Sequence, residues 1–180
     1  MPSSAGKPYV IPVFITHEGC PHRCLFCDQG SITGEPRGPS QTVTSDDVAA
    51  TILQALSRPR KSPDREVQVA FYGGSFTGLV SERQKELLGA VRPFLREGRV
   101  QAIRLSTRPD YVDKETGLFL RSQGVSVVEL GVQSLDPVVL SATRRGYSAD
   151  RVAEAFTFLK ASGLVTVSYT HLTLPTKRIV

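Results

Sequence analysis

Two hydrophobic periods take turns along this chain. Short apolar runs rich in β-branched and aromatic residues alternate with longer stretches in which apolar positions recur at helical spacing. The run Tyr9-Val-Ile-Pro-Val-Phe-Ile15 reads as a first strand, with Pro12 tolerated if its missing donor faces an edge or a bulge. A Gly-, Pro- and Ser-rich loop over 30–43 follows, and a helix begins near Thr44 to Asp47, where polar caps precede Val48, Ile52, Leu53 and Leu56. Pro59 and Pro63 end it. Val67–Tyr72 is a second strand that runs into Gly73-Gly74-Ser75. A helix over 81–97 is expected to open with a capping box, Ser81-x-x-Gln84, and to kink at Pro93. Ala102–Ser106 is a third strand, followed by Thr107-Arg108-Pro109-Asp110 and a helix over 113–123 that stops at Gly124. Val125–Leu130 is a fourth strand. After it come Gly131-Val-Gln133, a short helix, Arg144-Arg145, a helix over 148–162, and a fifth strand from Leu164.

Strand and helix thus alternate every ~30–50 residues, the pattern of βαβ units in which helices cover a parallel sheet. Each unusual loop follows a strand rather than a helix. In α/β barrels and open parallel sheets alike, ligands sit beyond the carboxyl ends of the strands, so these loops are expected to share one site.

Composition changes this picture little. The 180 residues suit one domain, and no apolar run approaches the ~18 residues that span a bilayer. The first residues, Met1 to Lys7, hold no apolar signal region, which points to a cytoplasmic protein. A net charge of +5 is a mild basic excess; its densest group is Arg58, Arg60, Lys61 and Arg65, and its closest pair near the loops is Arg144-Arg145. Charge alone therefore makes RNA binding a minority reading.

The cysteines change it more. All three fall in one loop, as Cys20-x3-Cys24-x2-Cys27 directly after the first strand. An odd number of thiols packed so closely builds no disulfide framework and suits a soft metal centre in a reducing compartment. Thiolates ligate both iron-sulfur clusters and zinc, and both commonly take four protein ligands. Three cysteines would leave one position open, or a zinc site would be completed by His17 or His22, though the second Cys-x2-Cys or His-x3-5-His half usual in zinc modules is missing. Taken singly, the other residues have plain readings too: His17 and His22 as polar loop residues, Phe14 and Phe26 as core, Gly73-Gly74 as a tight turn, Gln133 as a turn cap and Arg145 as a surface charge.

Taken together, the motifs resemble the radical S-adenosylmethionine (SAM) superfamily. The three-cysteine signature with Phe26 before its last member is followed, in order, by Phe71-Tyr-Gly-Gly-Ser-Phe76, Leu105-Ser-Thr-Arg-Pro-Asp110 and Glu129-Leu-Gly-Val-Gln-Ser134. The wording of these motifs is most similar to the branch containing the Elongator catalytic subunit. The resemblance covers residues 9 to about 165. It implies an α/β fold, a partial (β/α) barrel of the radical SAM type truncated after about four of six βα units. It implies that Cys20, Cys24 and Cys27 bind a 4Fe-4S cluster whose fourth iron is chelated by SAM. Phe14 and Phe26 would line the cofactor and its adenine, Gly73, Gly74 and Ser75 would admit the methionine amino end, and Ser106 would lie near the ribose. Gln133 and Arg145 would hold the cofactor further, Arg145 through the carboxylate, with Arg144 as its nearest competitor.

The implied activity is reductive cleavage of SAM to a 5'-deoxyadenosyl radical, with flavodoxin or ferredoxin as electron donor and, from the nearest branch, tRNA wobble uridine as substrate. The alternatives are a zinc-stabilised nucleic-acid-binding module and an inactive truncated fragment. The expected organisation is a flexible N-terminus over 1–8, a radical SAM core over 9–167, and a non-native tail over 168–180. The tail is suggested by the apolar-polar alternation of Val165 to Leu174, unlike a central parallel strand, and by its resemblance to tails at the ends of gene fragments. It contributes two of the basic residues, Lys177 and Arg178.

Overall fold

The computed structural model describes residues 7–20, 24–27, 42–60, 62 and 64–170. Five strands form one parallel sheet: β1 (Tyr9–Phe14), β2 (Val67–Tyr72), β3 (Ala102–Thr107), β4 (Val125–Gly131) and β5 (Val165–Tyr169). The helices are α1 (Ser45–Ser57), α2 (Ser81–Arg96), α3 (Lys114–Ser122), α4 (Pro137–Ala142) and α5 (Ala149–Ala161). Two 3-10 turns, Phe76–Gly78 and Pro109–Tyr111, follow β2 and β3.

Spatial order equals sequence order, β1-β2-β3-β4-β5. Each crossover therefore steps the same way, and a right-handed crossover repeated in one direction stacks the helices on one face. That is the arrangement of a barrel wall rather than of a doubly wound sheet. Pairing registers show the consequence, because paired residues of parallel strands point to the same side. Val13 pairs with Phe71, Phe71 with Leu105 and Leu105 with Val128, a buried row facing the helices. Ala70 pairs with Arg104, Arg104 with Val127 and Ser106 with Glu129, a mixed and largely polar row on the inner face. Pro12 sits on β1, an edge strand of this sheet, so its missing donor costs no ladder bond on the paired side.

Helix starts follow local chemistry with one correction. At α1 a capping box is present: Thr44 Oγ1 accepts from the Asp47 backbone N–H at 3.2 Å, and the Thr44 N–H donates to Asp47 Oδ2 at 2.9 Å. The box expected at Ser81-x-x-Gln84 does not form. Val80 occupies the cap position, Ser81 is already helical, and Gln84 Nε2 instead donates to the Leu79 carbonyl at 2.8 Å. The preceding 3-10 turn fixes where α2 can begin, one residue earlier than the motif suggests. Gly124 does end the helical segment before β4, at φ 90°.

The first expectation concerns the core. Leu87 of α2 is fully buried, whereas Leu118 of α3 is 54% exposed. Leu87→Ala should cost about 3 kcal/mol and Leu118→Ala less than about 0.5 kcal/mol in urea unfolding. The second concerns two glycines close in sequence. A Cβ on Gly89 would meet nothing within 4 Å, but one on Gly78 would lie 2.1 Å from the Gly19 carbonyl oxygen. Gly89→Ala should therefore stabilise by about 0.5–1 kcal/mol, through helix propensity, while Gly78→Ala should lower the melting temperature and loosen the cysteine loop in hydrogen exchange.

Candidate functional site

The loops at the carboxyl ends of β1 to β4 meet, with the segment after α4, around one cavity. It holds about 590 Å³ of space, open to solvent, and is lined by His17, Cys20, Cys24, Phe26, Cys27, Gly74, Ser106, Thr107, Arg108, Gly131, Gln133, Arg145 and Tyr169.

Backbone contacts place the cysteine loop. The His17 N–H donates to the Gly73 carbonyl at 2.9 Å and the Ser75 N–H to the Glu18 carbonyl at 2.9 Å. A Cβ on Gly74 would lie 2.3 Å from the Glu18 carbonyl oxygen, and one on Gly19 2.1 Å from that of Ser75. Two backbones lie against each other here, so only glycine fits. Arg83 of α2 secures the same loop through Glu18, Nε to Oε2 at 3.2 Å. Further on, the Cys27 N–H returns to the Cys24 carbonyl at 3.0 Å, which curls the second half of the motif into a turn.

Beneath the cavity lies a buried hydroxyl cluster. Thr107 Oγ1 is 2.5 Å from Thr77 Oγ1 and 3.1 Å from Ser75 Oγ, and Ser75 Oγ accepts from the Arg108 N–H at 3.3 Å. It ties the ends of β2 and β3 together without an unpaired buried donor.

Two guanidinium groups complete the wall. Arg145 Nη1 donates to Cys24 Sγ at 3.1 Å and Arg108 Nη1 approaches the same sulfur at 3.7 Å. Arg108 is gripped by Asp110, Nε to Oδ1 at 2.9 Å and Nη2 to Oδ2 at 2.7 Å, and also donates to the Arg145 carbonyl. Burial works against the charge of Arg108, but Asp110, with smaller help from Cys24 and Tyr147, outweighs it, so its pKa is raised. Arg145 donates from Nε and Nη2 to Tyr147 Oη at 3.0 and 2.7 Å, and from Nη2 to the Gly131 carbonyl. Tyr147 Oη in turn donates toward the carbonyls of Gly131 and Val132, both at 2.9 Å. Burial pushes the Cys20 thiol up, with Arg108 pulling the other way.

Cys24 is buried, Cys20 is half-buried and Cys27 is exposed, so the three thiols span the cavity from floor to mouth. Among the described residues no three His, Cys, Asp or Glu side chains converge closely enough to hold one metal ion. Thiolate donors suit an iron-sulfur cluster, which spreads its ligands over several irons. Donor type and the cationic wall fit the larger, anionic group.

Of the residues singled out by sequence, Cys20, Cys24, Cys27, Phe26, Gly74, Ser106, Gln133 and Arg145 line the cavity. Phe14, Gly73 and Ser75 do not. Phe14 ends β1 with 47% of its surface exposed, Gly73 makes the turn at φ 88°, and Ser75 is fully buried in the hydroxyl cluster. The donors of Arg145 that would form a fork for a carboxylate are engaged by Tyr147, Gly131 and Cys24. Arg144 is not among the lining residues; its left-handed backbone, φ 56°, turns the chain so that Arg145 points inward. Gln133 and His17 share that conformation, at φ 66° and 59°, so the three left-handed non-glycine residues among those described line this site or adjoin a residue that does. His22 lies outside the described residues.

Sequence reasoning assigned no role to Thr107, Arg108, Tyr147 or Tyr169. The first two stand in a quoted motif, Ser106-Thr-Arg-Pro-Asp110, whose Arg-x-Asp spacing was the available signal. Tyr169 comes from β5: its hydroxyl is 3.3 Å from Ser106 Oγ, and its carbonyl accepts from the Gln133 N–H at 3.0 Å.

Known proteins resemble this chain in sequence and in fold. The chain is 30% identical to the tRNA uridine(34) acetyltransferase of Methanocaldococcus jannaschii over 91% of its own length and 36% of that protein's. It therefore spans about a third of the length of that relative. Among solved structures, Methanocaldococcus infernus Elp3 with an N-terminal deletion superposes with a TM-score of 0.59 at 22% identity, over 92% of this chain and 38% of that one. Native anSMEcpe with bound AdoMet gives a TM-score of 0.65 at 15% identity, over 91% of this chain and 43% of that one. These superpositions confirm the α/β fold as part of a (β/α) barrel. Residues 14–178 match the Radical SAM superfamily, and the chain belongs to it.

Proposed function

We propose that this chain is the cofactor-binding part of a radical SAM enzyme, in which Cys20, Cys24 and Cys27 hold a 4Fe-4S cluster. The observation that carries this reading is that three thiols, a glycine-lined backbone, Ser106, Gln133 and two guanidinium groups face one cavity. When bound, cluster and SAM together supply reductive cleavage of the sulfonium and so a 5'-deoxyadenosyl radical. The protein's share is placement. Gly74 allows close backbone approach, Phe26 offers an apolar surface, and Ser106 and Gln133 offer hydrogen bonds to polar parts of the cofactor. Arg145 supports the site through the Cys24 sulfur rather than through a free carboxylate fork.

Substrate choice belongs to the whole protein. The relatives named as tRNA uridine(34) acetyltransferases favour modification of a tRNA uridine; flavodoxin or ferredoxin as electron donor and a cytoplasmic setting belong to the same proposal. Among the described residues no helix is long and apolar enough to cross a membrane. We retain the division into a core over 9–167 and a foreign tail over 168–180, noting that β5 crosses it: Ser168 pairs with Leu130 and Tyr169 with Gly131.

Anaerobic reconstitution with iron and sulfide, followed by reductant and SAM, tests the reading. Cys24→Ala should abolish the broad visible absorption of the cluster and 5'-deoxyadenosine formation; an unchanged spectrum, or stoichiometric zinc with no iron uptake, would sink it. Gln133→Ala should weaken SAM binding to the loaded chain about fivefold, the value of one neutral hydrogen bond at about 1 kcal/mol, measured by equilibrium dialysis.

A further inference from the structure

Cys24 differs from the other two thiols in its surroundings. Its residue is 8% exposed, and both Arg108 and Arg145, each 5% exposed, aim Nη1 at its sulfur from 3.7 and 3.1 Å. Cys27 is exposed and Cys20 only half-buried. Buried like charges repel, so two guanidinium groups on one atom need compensation. Asp110 balances one of them through its two-point contact with Arg108. A cluster-ligating Cys24, which binds iron as the thiolate, would supply the anion that balances the second.

We infer that Arg108, acting with Arg145, is a positioning residue that raises the reduction potential of the cluster through its Cys24 ligand; this rests on the ligand assignment proposed above. Hydrogen bonds to ligating sulfurs and nearby charge are among the levers that set such potentials. Reduction adds one electron, supplied by an external low-potential reductant, and exchanges no proton or bond. Donors directed at a ligating sulfur favour the more negative, reduced form. Burial strengthens the effect, because little water screens the sulfur.

The geometry is fixed from behind. Asp110 orients the Arg108 plane, Arg108 donates to the Arg145 carbonyl, and Tyr147 lies under both guanidinium groups, its ring centre 5.4 Å from Arg108 Cζ and 5.0 Å from Arg145 Cζ. Arg108 also lines the cavity, yet its Nε and Nη2 are held by Asp110 and the Arg145 carbonyl, leaving Nη1 directed at the sulfur. Its action is therefore on the ligand.

The test uses the 180-residue chain, reconstituted anaerobically, with iron content measured first and the one-electron potential then followed by electron paramagnetic resonance during a redox titration. Arg108→Gln should keep the iron content and lower the reduced-to-oxidised ratio about tenfold at fixed potential, a negative shift of about 59 mV for one electron. Arg108→Lys should shift less in the same direction, since it keeps the charge and loses the planar fork. Arg99→Gln, the same charge change at an exposed position, should leave the potential in place. Full iron content with the same potential in Arg108→Gln and Arg99→Gln overturns the inference and leaves the ligand assignment standing. No iron in the unsubstituted chain overturns the assignment and the inference with it. If Arg108→Gln does not fold, Arg108→Lys decides: a negative shift supports the inference and an unmoved potential overturns it.

Discussion

The site depends on one close contact, the laying of the cysteine loop's backbone directly on the backbone of the loop after β2. Gly19, Gly74 and Gly78 allow it, because a single methyl at any of them would overlap a carbonyl oxygen by more than an ångström of ordinary contact distance. With the two loops pressed together, Cys20 comes to the cavity edge and the Ser75 hydroxyl drops onto Thr107. That in turn fixes the start of the Arg108 loop, since Ser75 Oγ accepts from the Arg108 N–H. Three strand ends are thus held in a fixed relation by one glycine contact and one hydroxyl cluster.

The sheet explains why its strands alternate instead of reading as continuous apolar runs. Because every helix lies on one face, only that face needs to be uniformly apolar, and Phe71, Leu105 and Val128 supply it. The other face carries Gln68, Tyr72, Arg104, Ser106 and Glu129. β5 reverses this pattern at the sheet's edge: Val165 and Val167, 59% and 42% exposed, pair with Val127 and Glu129 on the inner side, while Thr166 and Ser168 pair with Val128 and Leu130 on the helix side. The alternation of Val165 to Leu174 that suggested a foreign tail therefore places the two valines within β5 on the exposed side of the sheet.

Element type and order were legible because period, glycines and prolines all pointed the same way. Most of the site was legible too, since strand-end loops in a parallel sheet converge whatever their sequence. What stayed hidden depends on side-chain direction. Ser75 and Ser106 look alike on paper, but one is sealed against Thr107 and the other lines the cavity. Arg145 read as a carboxylate holder, because no spacing rule shows that Tyr147 two residues on, Gly131 and Cys24 would take up its donors. The false capping box at Ser81 has the same origin: the motif was there, but a 3-10 turn upstream had already set the first helical residue.

The inner face also bears on what the cavity faces. Arg104 Nη2 meets Glu129 Oε1 at 2.6 Å, and Tyr72 Oη donates to the same oxygen at 2.9 Å. Burial and the Glu129 carboxylate push the Tyr72 hydroxyl up to about 12, so it remains a neutral donor throughout the physiological range. The network is therefore balanced, one cation against one anion, and sets no strong field across the open side. Cationic character concentrates instead at Cys24, behind the cavity, where both guanidinium groups are buried. Polarity and charge are thus separated in space: balanced hydrogen-bonding groups lie toward the open face, and the two buried guanidinium groups lie at the Cys24 thiol.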